Sequence, residues 1–243
     1  MNDTAAKPYK AWDLPTRLFH WINFLCVMLL SFLGLVMLNK GALGISGTEA
    51  SVGLKTVHVL VGYVFAINLL VRFGWAFIGN RQARWGGILP GKNFGQRLKT
   101  YKASVKSGQP QTFVGHTPEG RLSITFMLLL LSIMLVTGIV RAGTDIYFPP
   151  LGGIFASQVA AEGVSPSAIK PYDKTGTDPD KLVKLQAFKG PFGDIHLYTA
   201  YVLWFMILLH VAAVIRLDST GEGTLISAMF SGRKHLPREP EDL

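Results

Sequence analysis

The stretch FGDIHLYTAYVLWFMILLHVAAVIR, residues 192–216, decides the fold class, because it joins a long apolar run to two histidines. A membrane-spanning helix needs about 20 mostly apolar residues, and this stretch is long enough to be one. Histidine is costly in hydrocarbon, so its presence inside a span indicates a function. The two histidines, His196 and His210, are fourteen residues apart. Other apolar segments should therefore contain residues that act with them.

Three further stretches meet the same length rule. The four predicted spans cover residues 18–38, 54–78, 122–140 and 195–215. Only 16% of the residues are charged, against roughly 25% in a soluble domain, and a soluble fold would have to bury four long apolar helices in a small protein. The sequence therefore predicts an all-α membrane protein, a single domain over residues 1–243 built as a four-transmembrane-helix bundle.

Positive charge is concentrated between the second and third spans. The segment 79–120 contains seven Lys and Arg residues and one acidic residue, whereas 141–194 contains six of each sign. Cytoplasmic links carry the excess of Lys and Arg in membrane proteins, so 79–120 is predicted to be a cytoplasmic loop and both termini to be cytoplasmic. The segment 141–194 is then a long periplasmic loop that caps the bundle. The net charge of +9 reflects this topology, and it predicts no nucleic-acid partner.

Two shorter helical segments are predicted on the cytoplasmic side. One is an amphipathic piece around residues 97–105, which would lie against anionic lipid headgroups. The other lies in TLISAMFSGRKHLP, residues 224–237, which indicates a short interfacial helix followed by a polar tail.

The four histidines inside the apolar spans pair by depth. An α-helix rises 1.5 Å and turns about 100° per residue, so fourteen residues separate two side chains by about 21 Å on nearly the same face. With alternating span directions, His20 is level with His210 near the inner side, and His58 is level with His196 near the outer side. Two facing imidazoles at one depth, twice over, are the arrangement that binds two haems with two axial nitrogens each.

The same offset of fourteen residues leads from His20 to Gly34 and from His58 to Arg72. Gly34 would leave room for a macrocycle at the depth of the outer pair. Arg72 would place a guanidinium at the depth of the inner pair, where a haem propionate needs a partner. His116 precedes the third span, where it would lie near a quinone or hydrogen-bond a propionate.

Plainer explanations stay open for each of these residues. A lone histidine in a span is often an interhelical hydrogen-bonding residue, and a zinc site would need ligands clustered around one point. Glycine is common in membrane helices, and Arg72 could extend to the inner headgroups. His116 could have a structural role beside the third helix.

Three motifs and the histidine spacing together resemble the bacterial di-haem cytochrome b561 family, nearest to the b-type cytochrome subunits of nickel–iron hydrogenases. The motifs are WDLPTRLFHW at residues 12–21, GHTPEG at 115–120 and AMFSGRKH at 228–235. The second is similar to the family's Gly-His-Asn-Pro motif, with Thr117 in place of Asn. The resemblance covers the four spans and both inner flanks, and it leaves 141–194 without a counterpart.

This resemblance implies two haems b with bis-histidine ligation, the inner haem held by His20 and His210 and the outer haem by His58 and His196. It also implies a multi-pass protein of the bacterial inner membrane that belongs to a respiratory chain. Electrons would pass between membrane quinone and a periplasmic redox protein, either a c-type cytochrome or a dehydrogenase or hydrogenase subunit. The chain would then be an electron-transfer subunit of an oxidoreductase, with no catalytic residue of its own.

Two other function classes stay open at this stage. A stand-alone superoxide:quinone oxidoreductase would need a positive outer surface to attract an anion, whereas 141–194 is balanced in charge. A non-haem membrane anchor or transporter would use the histidines only as hydrogen-bonding residues, and it would be colourless.

Overall fold

A computed structural model describes residues 6–219 and 224–243, so residues 1–5 and 220–223 of the predicted single domain lie outside the described residues. The described residues form eight α-helices, one short 3-10 helix and two strands. In chain order these are β1 (Lys7–Lys10), α1 (Leu14–Leu38), α2 (Thr48–Ile78), α3 (Trp85–Ile88), α4 (Phe94–Lys106), α5 (Pro118–Ile146), α6 (Gly152–Val159), the 3-10 helix (Pro166–Ala168), α7 (Pro179–Ser219), α8 (Leu225–Ser231) and β2 (Arg233–Leu236).

Four of these helices, α1, α2, α5 and α7, are long and apolar enough to cross a membrane. The prediction of four long apolar helices is therefore confirmed, but each helix extends beyond the apolar run that predicted it. The largest extension is in α7, which begins at Pro179 rather than at residue 195. Hydropathy detects only the apolar part of a helix, and it does not detect polar turns that continue the same helix.

The start of α7 is fixed by local chemistry. One carboxylate oxygen of Asp178 accepts hydrogen bonds from the backbone N–H groups of Asp180 and Lys181, at 2.9 and 3.1 Å. This is the N-cap interaction that satisfies free donors at a helix end. Pro179 occupies the first helical position, where its missing N–H costs nothing.

The segment predicted as one loop, 141–194, contains more structure than the sequence indicated. Helix α5 continues to Ile146, α6 and the 3-10 helix follow, and α7 takes up the remainder. These pieces enclose a small buried apolar core, made of Ala156, Val159, Ala160, Ile169 and Leu185. The apolar residues are few and dispersed along the chain, so no single window of sequence predicted that they would meet.

Two short strands depart from the all-α prediction. Lys7–Lys10 pairs antiparallel with Arg233–Leu236, and neither segment was predicted to be a strand. Along β2 the residues alternate between exposed and buried, with Lys234 and Leu236 buried. A four-residue strand that carries three basic side chains has no visible apolar alternation, which is why the sequence did not predict it.

The described chain divides into two compact units. The first is built from Met1–Asn23, Asn68–Leu129 and Leu203–Leu243, and the second from Phe24–Ile67 and Leu130–Val202. In the first unit, α4 includes the segment 97–105 that was predicted to be amphipathic. Helix α8 corresponds to the predicted short C-terminal helix.

Asp13 is the main polar junction of the first unit. Its carboxylate accepts hydrogen bonds from the backbone N–H of Thr16 at 3.1 Å, the indole of Trp75 at 2.9 Å and the backbone N–H of Asn80 at 3.1 Å. Burial raises the pKa of Asp13, but the hydrogen bonds from Thr16, Asn80 and Trp75 together bring it below its ordinary value. Asp13 therefore caps α1 and ties it to the end of α2 as a carboxylate.

Candidate functional site

His58 and His196 face each other within the second unit. Helices α2 and α7 bring the two imidazoles to a centroid separation of 6.4 Å, with their planes at 67°. Both side chains are half-buried. The structure thus brings together the pair that the sequence assigned to the outer depth.

Thr137 on α5 fixes the orientation of the His196 ring. The Thr137 hydroxyl donates to the carbonyl of Ile133 at 2.7 Å, and its oxygen lies 2.8 Å from Nδ1 of His196. A hydroxyl has a single proton, so with that proton directed to Ile133 the oxygen accepts the Nδ1–H of His196. The lone pair of a neutral imidazole is then left on Nε2, the form in which histidine binds a metal.

Gly138, on the same helix, lies beside the His196 ring. A methyl group added at Gly138 would lie 3.5 Å from Cε1 of His196, which is an ordinary van der Waals contact, so the ring does not require a glycine here. Sequence reasoning missed both Thr137 and Gly138. Threonine and glycine are common in membrane helices, so nothing in the sequence distinguished these two from others.

His20 and His210 are the histidines of the first unit. His20 on α1 packs edge-to-face against Trp21, with the ring centroids 5.3 Å apart. His210 on α7 lies close enough to His20 for the charges of the two rings to interact. Both side chains are half-buried. The indole of Trp21 donates to the carbonyl of Met229 at 3.1 Å, which ties α1 to α8 beside this pair.

The chemistry of these four histidines fits ligation of a haem iron. Among the residues that the structure describes, Nδ1 of His20 and Nδ1 of His58 are buried without a hydrogen-bond partner. Neither ring is therefore held by an interhelical hydrogen bond at Nδ1, and imidazole nitrogen is a common ligand of haem iron. Within the described ranges, no three His, Cys, Asp or Glu side chains come together as a metal site.

Gly34 and Arg72 lie in different surroundings. A side chain at Gly34 would meet no atom within 4 Å, so the space beside this glycine is open. Arg72 is buried, with its guanidinium 3.0 Å from the carbonyl oxygen of Ala83 and over the ring of Phe19 at 5.7 Å. The guanidinium does not extend to solvent, because these contacts hold it inside the first unit.

Comparison with known proteins identifies the family. The family model described as prokaryotic cytochrome b561 matches residues 11–232. The chain belongs to the prokaryotic cytochrome b561 family. This match covers the four long helices and confirms the resemblance drawn from the motifs. It places the chain among membrane cytochromes that carry b-type haem and transfer electrons.

Several curated proteins are similar to this cytochrome over nearly its whole length. A probable Ni/Fe-hydrogenase B-type cytochrome subunit of Cupriavidus necator is 26% identical, with 91% of this chain and 84% of the relative aligned. A probable Ni/Fe-hydrogenase 1 B-type cytochrome subunit of Escherichia coli is 25% identical, covering 96% and 94%. A similarly named subunit of Azotobacter vinelandii is 26% identical, covering 95% and 89%.

His116 lies just before α5 in the first unit of the cytochrome. Its Nδ1 is 3.3 Å from the carbonyl oxygen of Gly87, and its ring packs on Trp12 with the centroids 4.7 Å apart. Burial, with smaller contributions from the positive charges of Lys234, Arg121 and Arg72, lowers the pKa of His116 to about 3. His116 is therefore neutral at physiological pH, and its Nδ1–H donates to Gly87.

Lys234 is buried beside this histidine. Its ammonium donates to the carbonyl of Gly115 at 2.6 Å and lies over the ring of Trp12 at 5.3 Å. Asp242 in the tail accepts hydrogen bonds from the backbone N–H groups of Val114 and Gly115, at 2.6 and 2.8 Å. Burial lowers the pKa of Lys234 to about 8, although Asp242 acts in the opposite direction.

The low pKa of His116 predicts a loss of stability in mild acid. The unfolded chain takes up a proton near the ordinary pKa of 6.5, whereas the folded chain does not until about 3. Stability from this group is therefore complete above pH 6.5 and falls as the pH drops from 6.5 towards 3. We expect the unfolding temperature to fall less between pH 7.5 and pH 5 in His116→Gln than in the unchanged protein. Equal falls, measured by thermal unfolding in detergent, would contradict this assignment.

Proposed function

We propose that this cytochrome binds two haems b and transfers electrons between a periplasmic redox partner and the quinone pool. His58 and His196 would ligate the outer haem, and His20 and His210 the inner one. The observation that carries the proposal is the facing pair His58 and His196. A metal binds imidazole nitrogen at about 2.0–2.1 Å, so two rings on opposite sides of one ion have centroids about 6 Å apart, close to the 6.4 Å found here.

Bis-histidine ligation determines what such sites do. A bound haem supplies one-electron chemistry, and its potential depends on axial ligands, hydrogen bonds and burial. Two protein nitrogens leave no open coordination position, so the sites would relay electrons rather than bind oxygen. Thr137 would keep Nε2 of His196 free for the iron, and the helices would hold the paired rings at a fixed separation.

The orientation follows from the distribution of charge. Helix α4 and its flanks contain most of the basic residues between α2 and α5. Because cytoplasmic links are rich in Lys and Arg, we infer that α4, α8 and both termini lie in the cytoplasm. Helix α6 and the polar first turns of α7 then lie on the periplasmic side of the inner membrane.

The partner is proposed from the relatives. The similar proteins named above are hydrogenase cytochrome subunits, so we infer a nickel–iron hydrogenase as the periplasmic partner. A c-type cytochrome is the other candidate donor or acceptor. Helix α6 and the outer turns of α7 form an ordered surface with a buried core, which suits the docking of a protein better than the entry of a small molecule.

Three residues have proposed secondary roles. Gly34 would leave room for the outer macrocycle, in keeping with the open space beside it. Arg72 retains guanidinium donors beyond the one directed at Ala83, and these would bind an inner propionate. His116 is held by Gly87 and Trp12, which supports a structural role for its Nδ1 side; its other nitrogen would be the one to approach a quinone or propionate.

The test begins with the purified protein in detergent, made with ample haem supply. We expect about two haems b per chain by pyridine haemochrome, low-spin spectra, and reduction by a short-chain quinol. One haem per chain would mean that one histidine pair is wrong. A colourless protein would overturn the electron-transfer function, and two haems that no quinol reduces would overturn the quinone assignment alone.

A further inference from the structure

One buried carboxylate in the second unit is shared by three cations. Asp145, at the end of α5, forms ion pairs with Lys55 at 2.6 Å, with Arg141 at 2.7 Å and with Lys189 at 3.2 Å. The Asp145 side chain is 7% exposed, and the three cations are between 20% and 32% exposed. These four residues are called the Asp145 cluster below.

The cluster has more positive than negative charge. Three cations and one carboxylate leave a net charge of +2 (3 − 1) on partly buried groups. Like charges held together at low solvent exposure are unfavourable unless an anion is near. The cations also keep free donors, since an ammonium has three and a guanidinium five, and Asp145 takes up only part of them.

Each cation lies on the same helix face as a member of the His58–His196 pair or its support. Lys55 is three residues before His58 on α2, and Lys189 is seven before His196 on α7. Arg141 is four residues after Thr137 on α5. Residues three, four and seven apart share one face of a helix. At 1.5 Å per residue, the cations lie about 5–10 Å along the helices from the imidazoles or their support.

The close packing of Arg141 supports this position. The guanidinium lies against Gly193, where an added methyl group would come within 2.6 Å of Nη1. Gly193 is three residues before His196 on α7. The positive charge of Arg141 also acts on the His196 ring. A glycine at position 193 thus allows the guanidinium to lie against α7, one helical turn before His196.

We propose that Lys55, Arg141 and Lys189 form a carboxylate-binding site for the two propionates of the haem held by His58 and His196. Asp145 positions the three cations and leaves a charge that two propionates neutralise. Arginine suits this role because its planar donors match a carboxylate in two-point contact. The inference rests on the proposed function, since it requires a haem at this pair.

The test is a potentiometric titration of both haems in Arg141→Gln and Lys189→Gln. Removing a positive charge from beside a haem disfavours the extra electron of its reduced state. We therefore expect a lower midpoint potential for one haem and an unchanged potential for the other. Lys184→Gln is the matched control, because Lys184 is an exposed cation on the same helix, and it should shift neither. Arg141→Lys should restore most of the potential.

The outcomes separate this inference from the proposed function. Absence of haem from the unchanged protein overturns the function itself. Two haems whose potentials the glutamine variants leave unchanged overturn only the propionate site. A potential in the unchanged protein that shifts with added phosphate at constant ionic strength, and no longer shifts in Arg141→Gln, would show that the cluster binds a free anion instead.

A second measurement covers variants that do not fold. In the unchanged protein, the outer site should bind haem dimethyl ester less tightly than it binds haem b, because the ester has no charged carboxylate. In resonance Raman spectra of haem b protein, the propionate bending band of one haem should shift in the milder Lys189→Gln variant. Equal binding of ester and haem b, with an unshifted band, overturns the proposal.

Discussion

Replacing His58 by alanine is expected to halve the haem content of the purified cytochrome, from about two haems b per chain to about one. His58 faces His196 at 6.4 Å between ring centroids. Without His58, the outer iron would keep a single protein ligand, His196, whose ring is oriented by Thr137. The haem that remains should keep the spectrum and potential of the site formed by His20 and His210, because those residues belong to the other compact unit.

The measurement is a haemochrome count combined with low-temperature spectra of the reduced protein. His235→Ala is the matched control, since His235 is exposed in β2 and takes no part in either pair. It should keep both haems. Retention of two low-spin haems in His58→Ala would show that His58 is not a ligand, and loss of both would show that the two sites do not fill independently.

Asp13→Ala is expected to cause the largest loss of stability among the variants considered. The change removes the N-cap of α1 and leaves the indole of Trp75 and the amide of Asn80 without their acceptor. A lost N-cap costs about 1 kcal/mol, and each of the two partly buried donors left unpaired costs about 1–2 kcal/mol, the lower part of the range for buried groups. The expected total is about 3–5 kcal/mol, with α1 and the end of α2 separating first.

Thermal unfolding in detergent, followed by the loss of the haem Soret band, measures this effect. Asp173→Ala is the control, because Asp173 is exposed and its carboxylate bonds locally, accepting a hydrogen bond from the backbone N–H of Thr175. The control should unfold within a degree or two of the unchanged protein. If Asp13→Ala unfolds at the same temperature as Asp173→Ala, the junction at Asp13 does not hold the first unit together.

The sequence predicted the membrane helices well because the signal for them is local. An apolar run of about 20 residues specifies a span wherever the rest of the chain lies. The pairing of His58 with His196 was also predicted, since it needs only helix geometry and alternating span directions. By contrast, the outer turns of α7 were missed, because Asp178 and Pro179 start a helix that is polar in its first turns.

The remaining features depend on contacts between residues far apart in sequence. Thr137 meets His196 across 59 positions, Lys55 meets Asp145 across 90, and Asp13 meets Trp75 across 62. Threonine, lysine and aspartate have ordinary local roles in most proteins, so their types alone do not assign these partners.

The sequence by itself determined four apolar helices, their polar links and the helix faces on which the histidines lie, because hydropathy and the 3.6-residue period act within one segment. Only the tertiary structure decided which ring nitrogen of His196 is free, which cations share Asp145 and which strand pairs with Lys7–Lys10. Those outcomes depend on distances between separate helices and segments, which are set when their side chains pack together and satisfy one another's hydrogen bonds and charges.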